Sequence, residues 1–117
     1  MRLPESPKGC PMDALLRLLK GHWTPYIVWT LSRSGPLRFG ILKQEVGGIS
    51  ARILTERLRR LERAGLIYRD YERTIPPRVT YGLTARGREL TAVLDQLYDI
   101  ACRWQQASPE QEKASAA

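Results

Sequence analysis

Apolar side chains recur every three or four positions through much of the chain, which is the spacing of one face of an α-helix. The first such segment opens at Pro11 or Met12 and stops before Gly21. Leu18 does not lie on the apolar stripe of this segment. The stripe itself consists of Met12, Leu15, Leu16 and Leu19.

The second helical segment starts with Thr24 as the predicted N-cap and Pro25 at the first helical position, where a missing N–H costs nothing. Its interior at residues 26–29 is apolar almost all round, so we expect it to be the buried central helix. A turn at 35–36 and a short extended segment at 37–38 follow. A third short helix is then marked by Phe39, Leu42 and Val46.

The fourth helix, predicted over residues 50–64, has the most distinct pattern. Ser50 is a good N-cap and Gly65 is the expected C-terminal stop. One stripe is apolar and consists of Ile53, Leu54, Leu58 and Leu61. The opposite face consists of Ser50, Arg52, Thr55, Glu56, Arg59, Arg60 and Arg63. Long polar side chains on a rigid rod are typical of a helix that reads nucleic acid.

The segment 67–83 contains two runs rich in β-forming residues on either side of a proline-broken stretch, which predicts a β-hairpin. Thr84 then caps a last helix of about 20 residues, a rod on the order of 30 Å long. This order of elements predicts a mainly α (α+β) fold. We expect a winged helix-turn-helix with a two-stranded β wing and flanking N- and C-terminal dimerisation helices.

A chain of 117 residues is expected to form one domain, which we assign to residues 10–105. Residues 1–9 and 106–117 are predicted to be a flexible N-terminal and a disordered C-terminal tail. The apolar stretches are too short for a membrane span, and the N-terminus lacks the apolar region of a secretory signal. With only two cysteines as well, we expect a cytoplasmic protein that is not bound to a membrane.

Positive charge is concentrated in one third of the chain. The net charge is +7, and residues 50–88 hold ten arginines against four acidic residues, a balance of +6. The guanidinium fork suits bidentate contacts with phosphates and guanine edges. We therefore predict double-stranded DNA as the partner, with Arg52, Thr55 and Arg59 at base edges. The residues predicted to contact phosphates are Ser50, Arg60, Arg73 and Arg78.

The sequence closely resembles the HxlR family of winged-helix transcriptional regulators, whose fold is related to that of the MarR group. The resemblance covers roughly residues 10–104. It rests on the joint order of Cys10-Pro11, Gly21 to Thr24, Gly35 to Phe39, Gly48 to Ser50, Leu54 to Leu66, Pro76 to Val79, and Tyr81 to Thr84 ahead of Gly87. It implies a cytoplasmic bacterial dimer that binds operator DNA and regulates transcription.

The first and last helices carry more apolar surface than one small winged domain could cover, and such surface usually marks an interface. We therefore predict a homodimer. The predicted interface residues are Leu15, Leu19, Leu90, Leu94, Leu97, Ile100, Ala101 and Trp104.

The cysteines and the single histidine offer little chemistry. Members of the HxlR family often carry an N-terminal cysteine, and some of them sense oxidants or electrophiles through it, so Cys10 is either such a sensor or a small packing residue. Cys102 is expected in the core or the interface. His22 has no second ligand at zinc-like spacing and no acidic orienter, so we predict no metal, no cofactor and no enzymatic activity.

Two other functions stay open at this point. The fold does not fix the function, and a winged helix can also serve as a protein-interaction or RNA-binding module. An RNA binder usually displays exposed aromatic residues for stacking, which the fourth helix lacks. A small-molecule effector could also bind near the aromatic residues Trp23, Tyr26 and Trp29, although we expect these to pack the core.

Overall fold

A computed structural model describes residue 3 and residues 5–106. In this part of the chain, five helices and a three-stranded antiparallel sheet follow one another in the predicted order. The elements are α1 (Pro11–Leu18), α2 (Trp23–Ser34), β1 (Leu37–Arg38), α3 (Phe39–Val46), α4 (Ala51–Arg63), β2 (Ile67–Glu72), β3 (Arg78–Leu83) and α5 (Ala85–Gln106). The mainly helical winged fold is thereby confirmed.

The sheet has the strand order β1-β3-β2, so that β3 lies in the middle. Strand β1 is held by pairing of Leu37 with Tyr81, which connects the start of α3 to the sheet. Strands β2 and β3 pair along their whole length, from Ile67 opposite Leu83 to Glu72 opposite Arg78. We call β2, β3 and their connection at 73–77 the wing.

Helix α2 lies at the centre of the core, as its all-round apolar sequence predicts. Ile27 and Val28 are completely buried, and Leu31 is nearly so. Helix α3 contributes Leu42 and Val46 to the same cluster. Helix α4 contributes a narrow stripe at positions i, i+4 and i+7, which consists of Leu54, Leu58 and Leu61.

The predicted apolar face of α1 is wrong. The residues that α1 buries in the core are Ala14 and Leu18, one helical turn apart, whereas Met12 and Leu16 are about 60% exposed. This short helix carries apolar residues on two faces, and the pattern alone does not say which face the core selects. Leu18, off the predicted stripe, is the core residue.

Two further details differ from the sequence-based expectation. Thr24 does not cap α2: the helix begins at Trp23 after His22, and the buried Thr24 hydroxyl donates to the Lys20 carbonyl at 3.4 Å. The first turn therefore starts earlier, and Trp23 packs against the core. Ile53 was assigned to the core stripe of α4 but is 36% exposed, because α4 packs along one narrow line.

Helix α5 begins at the predicted cap, since the Gly87 N–H donates to Thr84 Oγ1 at 3.1 Å. It has 22 residues, and among them only Gly87 is fully buried. Leu90 and Leu94 pack partly against the core, and the remaining turns are largely exposed. Of the helices in the described residues, none is both long enough and apolar enough to cross a bilayer.

The two tails predicted from the sequence are residues 1–9 and 106–117. Residues 1, 2 and 4 of the predicted N-terminal tail lie outside the described residues, and a turn at Ser6 to Gly9 is closed by a hydrogen bond from the Gly9 N–H to the Ser6 carbonyl at 2.9 Å. Hydrogen bonds from Ser6 and Arg17 lower the pKa of Asp13 in α1. At the other end α5 extends to Gln106, and residues 107–117 of the predicted C-terminal tail lie outside the described residues.

Candidate nucleic-acid interface

The orientation of α4 is fixed at its start and along its buried side. Ser50 accepts a hydrogen bond from the Ile53 N–H at 3.1 Å and so caps the helix as predicted. Because the leucine stripe is buried, the opposite side of the rod faces outward. Arg52, Arg59 and Arg63 lie exposed on that outward side, where they line an open depression together with Ala51, Thr55 and Glu56.

Glu56 reduces the free positive charge of this surface. Its Oε1 lies 2.7 Å from Arg60 Nη2, one helical turn away, and its other oxygen pairs with Arg57. The predicted phosphate contact Arg60 is therefore already bound to a carboxylate within α4. Thr55 is likewise satisfied internally, because its hydroxyl donates to the Ala51 carbonyl at 2.7 Å. Glu56 offsets part of the charge that Arg60 offers to a phosphate, whereas the Thr55 oxygen can still accept a hydrogen bond.

A cleft of about 500 Å³ separates α4 from the sheet. Arg59 lines it from the helix and Arg69 lines it from β2, so the two guanidinium groups belong to the same cleft. The other residues that line it are Phe39, Thr55, Glu62, Val79 and Tyr81. We did not include Arg69 among the sequence-based candidates. Its place depends on the register Arg69 opposite Tyr81, which the sequence does not state.

The two predicted wing arginines occupy different positions. Arg73 is exposed in the connection between the strands, whereas Arg78 is the first residue of β3 and lies opposite Glu72. Successive strand residues point to opposite faces of a sheet. Since Val79 lines the cleft, Arg78 faces away from α4, and Arg69 is the wing arginine that faces toward it.

The predicted dimer residues fall into two groups. Leu15, Leu90 and Leu94 are half-buried against the core of their own chain, and Leu19 and Ile100 are also half-buried. Leu97, Ala101 and Trp104 are exposed, Leu97 to 57% and Trp104 to 70%. Large exposed apolar residues that the prediction omitted are Met12, Leu16, Val93 and Tyr98.

Aromatic residues line a groove of about 300 Å³ between α2 and α5, next to the exposed part of α5. The Trp29 and Tyr98 rings lie 5.2 Å apart, and the Arg33 guanidinium lies 4.8 Å from the Trp29 ring centroid. A hydrogen bond with Cys102 raises the pKa of Tyr98, with the Arg33 charge opposing the shift. The expectation that Tyr26 packs the core is wrong, because it is exposed at the rim of this groove.

The remaining candidates are separate from the arginine surface. Cys10 is exposed and directly precedes α1. Cys102 is half-buried on α5. The ring of His22 contacts that of Trp23 in a tilted arrangement, with 4.0 Å between the centroids. Among the residues that the structure describes, no three His, Cys, Asp or Glu side chains come together as metal ligands would.

Comparison with known proteins identifies the family. The model of the HxlR-like helix-turn-helix family matches residues 18–109. The chain belongs to the HxlR family. A Synechocystis protein described as an uncharacterized HTH-type transcriptional regulator is 41% identical over 95 residues, which are 81% of this chain and 70% of the relative.

Solved structures agree with this assignment. A Porphyromonas gingivalis protein assigned to the MarR family of transcriptional regulators is 31% identical and superposes with a TM-score of 0.76 over 84% of this chain and 95% of its own. The redox regulator HypR in its reduced form is 28% identical and gives a TM-score of 0.76 over 83% and 95%. HxlR proteins are helix-turn-helix transcriptional regulators and not enzymes, so this chain is a transcriptional regulator of the HxlR and MarR type.

Proposed function

We propose that this HxlR protein binds double-stranded operator DNA as a homodimer and reads its sequence with α4 in the major groove. The observation that carries the proposal is the outward face of α4, where Arg52, Arg59 and Arg63 are exposed on a helix held by a buried leucine stripe. Because the helix is already folded, binding carries no cost of ordering its backbone. An α-helix of this kind fits the width of the major groove.

The roles within the surface follow from position. Arg52, Thr55 and Arg59 contact base edges, because they follow one another along the outward side of α4. Ser50 at the helix start and Arg60 one turn beyond Glu56 contact phosphates. The wing contacts the phosphate backbone through Arg73 and Arg78. We add Arg69, because it shares the cleft with Arg59.

The test of base reading separates the charge of Arg59 from its shape. An operator is first selected from random-sequence DNA with the purified wild-type protein. Arg59→Ala is expected to weaken operator binding by about 1 to 3 kcal/mol and to relax sequence preference. Arg59→Lys keeps the charge but loses the bidentate fork, so it should retain the salt dependence and lose the preference.

Lys8→Ala is the matched control, since it removes one positive charge from the exposed N-terminal segment and should leave sequence preference unchanged. Single-stranded RNA of the operator sequence serves as competitor and should not displace the duplex. If Arg59→Ala retains wild-type affinity and preference, α4 does not read the operator through this residue. If RNA competes as well as the duplex, the protein is an RNA-binding module instead.

The proposed dimer is supported by the unpartnered apolar surface of α1 and α5. Leu97 and Trp104 on α5 and Met12 and Leu16 on α1 are each more than half exposed, which is unfavourable for an isolated chain in water. A two-fold interface formed by these helices would present two copies of α4 at a spacing of about 34 Å, which is one turn of DNA. Operators with inverted half-sites are therefore expected. A DNA-binding role in transcription also supports the cytoplasmic location.

A second proposal concerns the control of this regulator by oxidants. Cys10 is exposed whereas Cys102 is half-buried, and the structural relative HypR is described as a redox regulator. We infer that Cys10 is the residue through which an oxidant or electrophile acts. Mass spectrometry after graded hydrogen peroxide treatment should show modification at Cys10 first, and Cys10→Ser should abolish any effect of peroxide on operator binding. Equal sensitivity of Cys10→Ser would refute this assignment.

A further inference from the structure

The tip of the wing carries an apolar side chain that packs against nothing. Ile75 has a relative exposure of 102%. The next most exposed large apolar side chain among the described residues is Trp104, at 70%. The other large apolar residues that are more than half exposed lie on α1 and α5, whereas Tyr68 and Tyr71 on β2 are exposed to 40% and 49%. Ile75 instead projects from the connection between two strands, far along the chain from the proposed dimer surface.

The tip that holds Ile75 is both stiff and apolar. Pro76 and Pro77 follow it, and their rings fix φ and remove two N–H donors. The Thr74 hydroxyl donates a hydrogen bond to the Pro76 carbonyl at 2.7 Å, and this bond links the residue before Ile75 to the residue after it. An exposed isoleucine on a restrained turn loses little conformational entropy when it is buried by a partner.

Charge at the base of the tip indicates what kind of partner this is. Arg73 precedes the tip and Arg78 follows it, and both are exposed. An apolar side chain with an arginine on each side fits a nucleic-acid groove. Phosphates line both edges of such a groove, and base edges form its floor. The minor groove is about 6 Å wide, which excludes a helix, and known minor-groove binders insert isoleucine and proline there.

We propose that Ile75 enters the minor groove beside the α4 site and selects A·T pairs there by excluding the guanine amino group. The inference rests on the proposed function and extends it to a second element that determines specificity. In the minor groove, a G·C pair differs from an A·T pair by the N2 amino donor of guanine. An isoleucine side chain cannot accept a hydrogen bond, so it would desolvate that donor without compensation.

The experiment changes the minor groove alone. In the selected operator each adenine is replaced in turn by 2,6-diaminopurine, which adds an amino group in the minor groove and leaves the major-groove atoms of adenine in place. Wild-type protein is expected to lose about fivefold to tenfold in affinity at one or two positions outside the α4 site, near the lower end of the cost of a wrong base pair. Ile75→Ser should bind the unmodified operator more weakly and lose nothing further at those positions.

Matched variants keep the outcomes distinct. Arg59→Ala should still respond to diaminopurine at the wing positions, because it changes the major-groove reader only. Ile75→Arg should raise the salt slope of binding by about 0.9 through a new phosphate contact. Since Ile75 packs against nothing, its variants should melt at the wild-type temperature, which circular dichroism checks.

Two results would overturn the inference while leaving operator recognition intact. One is that no diaminopurine position weakens wild-type binding, and the other is that Ile75→Ser responds to each position as the wild type does. In the second case an unchanged affinity for the unmodified operator would point to a protein partner at the wing tip. Failure of the wild-type protein to select any operator would instead refute the proposed function, and this inference with it.

Discussion

Replacing Gly87 by alanine tests a close backbone approach, where the first turn of α5 meets the entry to the wing. A Cβ at Gly87 would lie 2.1 Å from the Leu66 carbonyl oxygen and 3.1 Å from a Leu83 methyl carbon. The first of these atoms belongs to the backbone and cannot swing aside. α5 and β2 would have to separate by more than about 1 Å to restore an ordinary contact.

The expected magnitude is a sum of opposing effects. Alanine favours a helix over glycine by about 1 kcal/mol. Against this, forcing an extra carbon into a packed site costs about 1 to 3 kcal/mol, and often more when backbone must move. The same Leu66 carbonyl accepts a hydrogen bond from the Thr84 N–H at 3.0 Å, and its loss costs about 1 kcal/mol. We expect a net destabilisation of about 1 to 3 kcal/mol, or roughly 5 to 20 °C in Tm.

Gly40→Ala is the matched control because it makes the same chemical change without a clash. Gly40 lies exposed in α3, its φ is not left-handed, and no atom lies within 4 Å of a Cβ built there. It should raise stability by about 0.5 kcal/mol. Urea unfolding monitored by circular dichroism compares the wild type, Gly87→Ala and Gly40→Ala. All three are measured at one fixed protein concentration so that dimerisation contributes equally to their stability. If Gly87→Ala unfolds at or above the wild-type urea midpoint, α5 does not approach Leu66 as described.

The remaining predictions concern charge and assembly. Glu56→Gln should release Arg60 for phosphate contact, and should therefore tighten binding to random DNA and steepen its salt dependence; an unchanged salt slope in a filter-binding titration would contradict this. Arg73→Ala and Arg78→Ala should each lower the salt slope by about 0.9 on operator and random DNA alike, and a loss confined to the operator would indicate base reading instead. Leu97→Asp should place an unpaired charge in the α5 interface and yield monomers that bind the operator weakly, as measured by sedimentation at micromolar concentration. Wild-type monomers under those conditions, or a Leu97→Asp protein that stays dimeric, would refute the interface.

Local signals in the sequence were sufficient to predict the two ends of α4 and its outward side. Ser50 and Gly65 mark its two ends, because a capping hydroxyl and a residue with positive φ are each needed at one position only. The strong contrast between its leucine stripe and its arginine face then fixes which side points outward. The outward positions of Arg52 and Arg59 were predictable for this reason.

Other features depend on contacts between segments that are distant in sequence. The choice of Leu18 over Leu16 as the core residue of α1 is made by the surface that α1 packs against. The start of α2 before Thr24 reflects the packing of Trp23. Arg69 joins Arg59 only because β2 pairs with β3 in one particular register, and a shift by one residue would turn its side chain to the other face.

The scarcity of buried residues in α5 has a consequence for how the regulator responds to its own abundance. Isolated helical segments shorter than about 12 to 15 residues are marginal in water. Helix α5 is anchored first by Gly87, Leu90 and Leu94 and then by the contact of Tyr98 with Trp29, and residues 103–106 beyond it are exposed. Order in the distal turns then depends on association of two chains in the proposed dimer. Amide hydrogen exchange beyond Cys102 should slow as protein concentration rises, while exchange near Gly87 should not. At a low cellular concentration, the distal part of α5 would therefore open often. Proteases would degrade these opened chains, which would lower the concentration of the protein further.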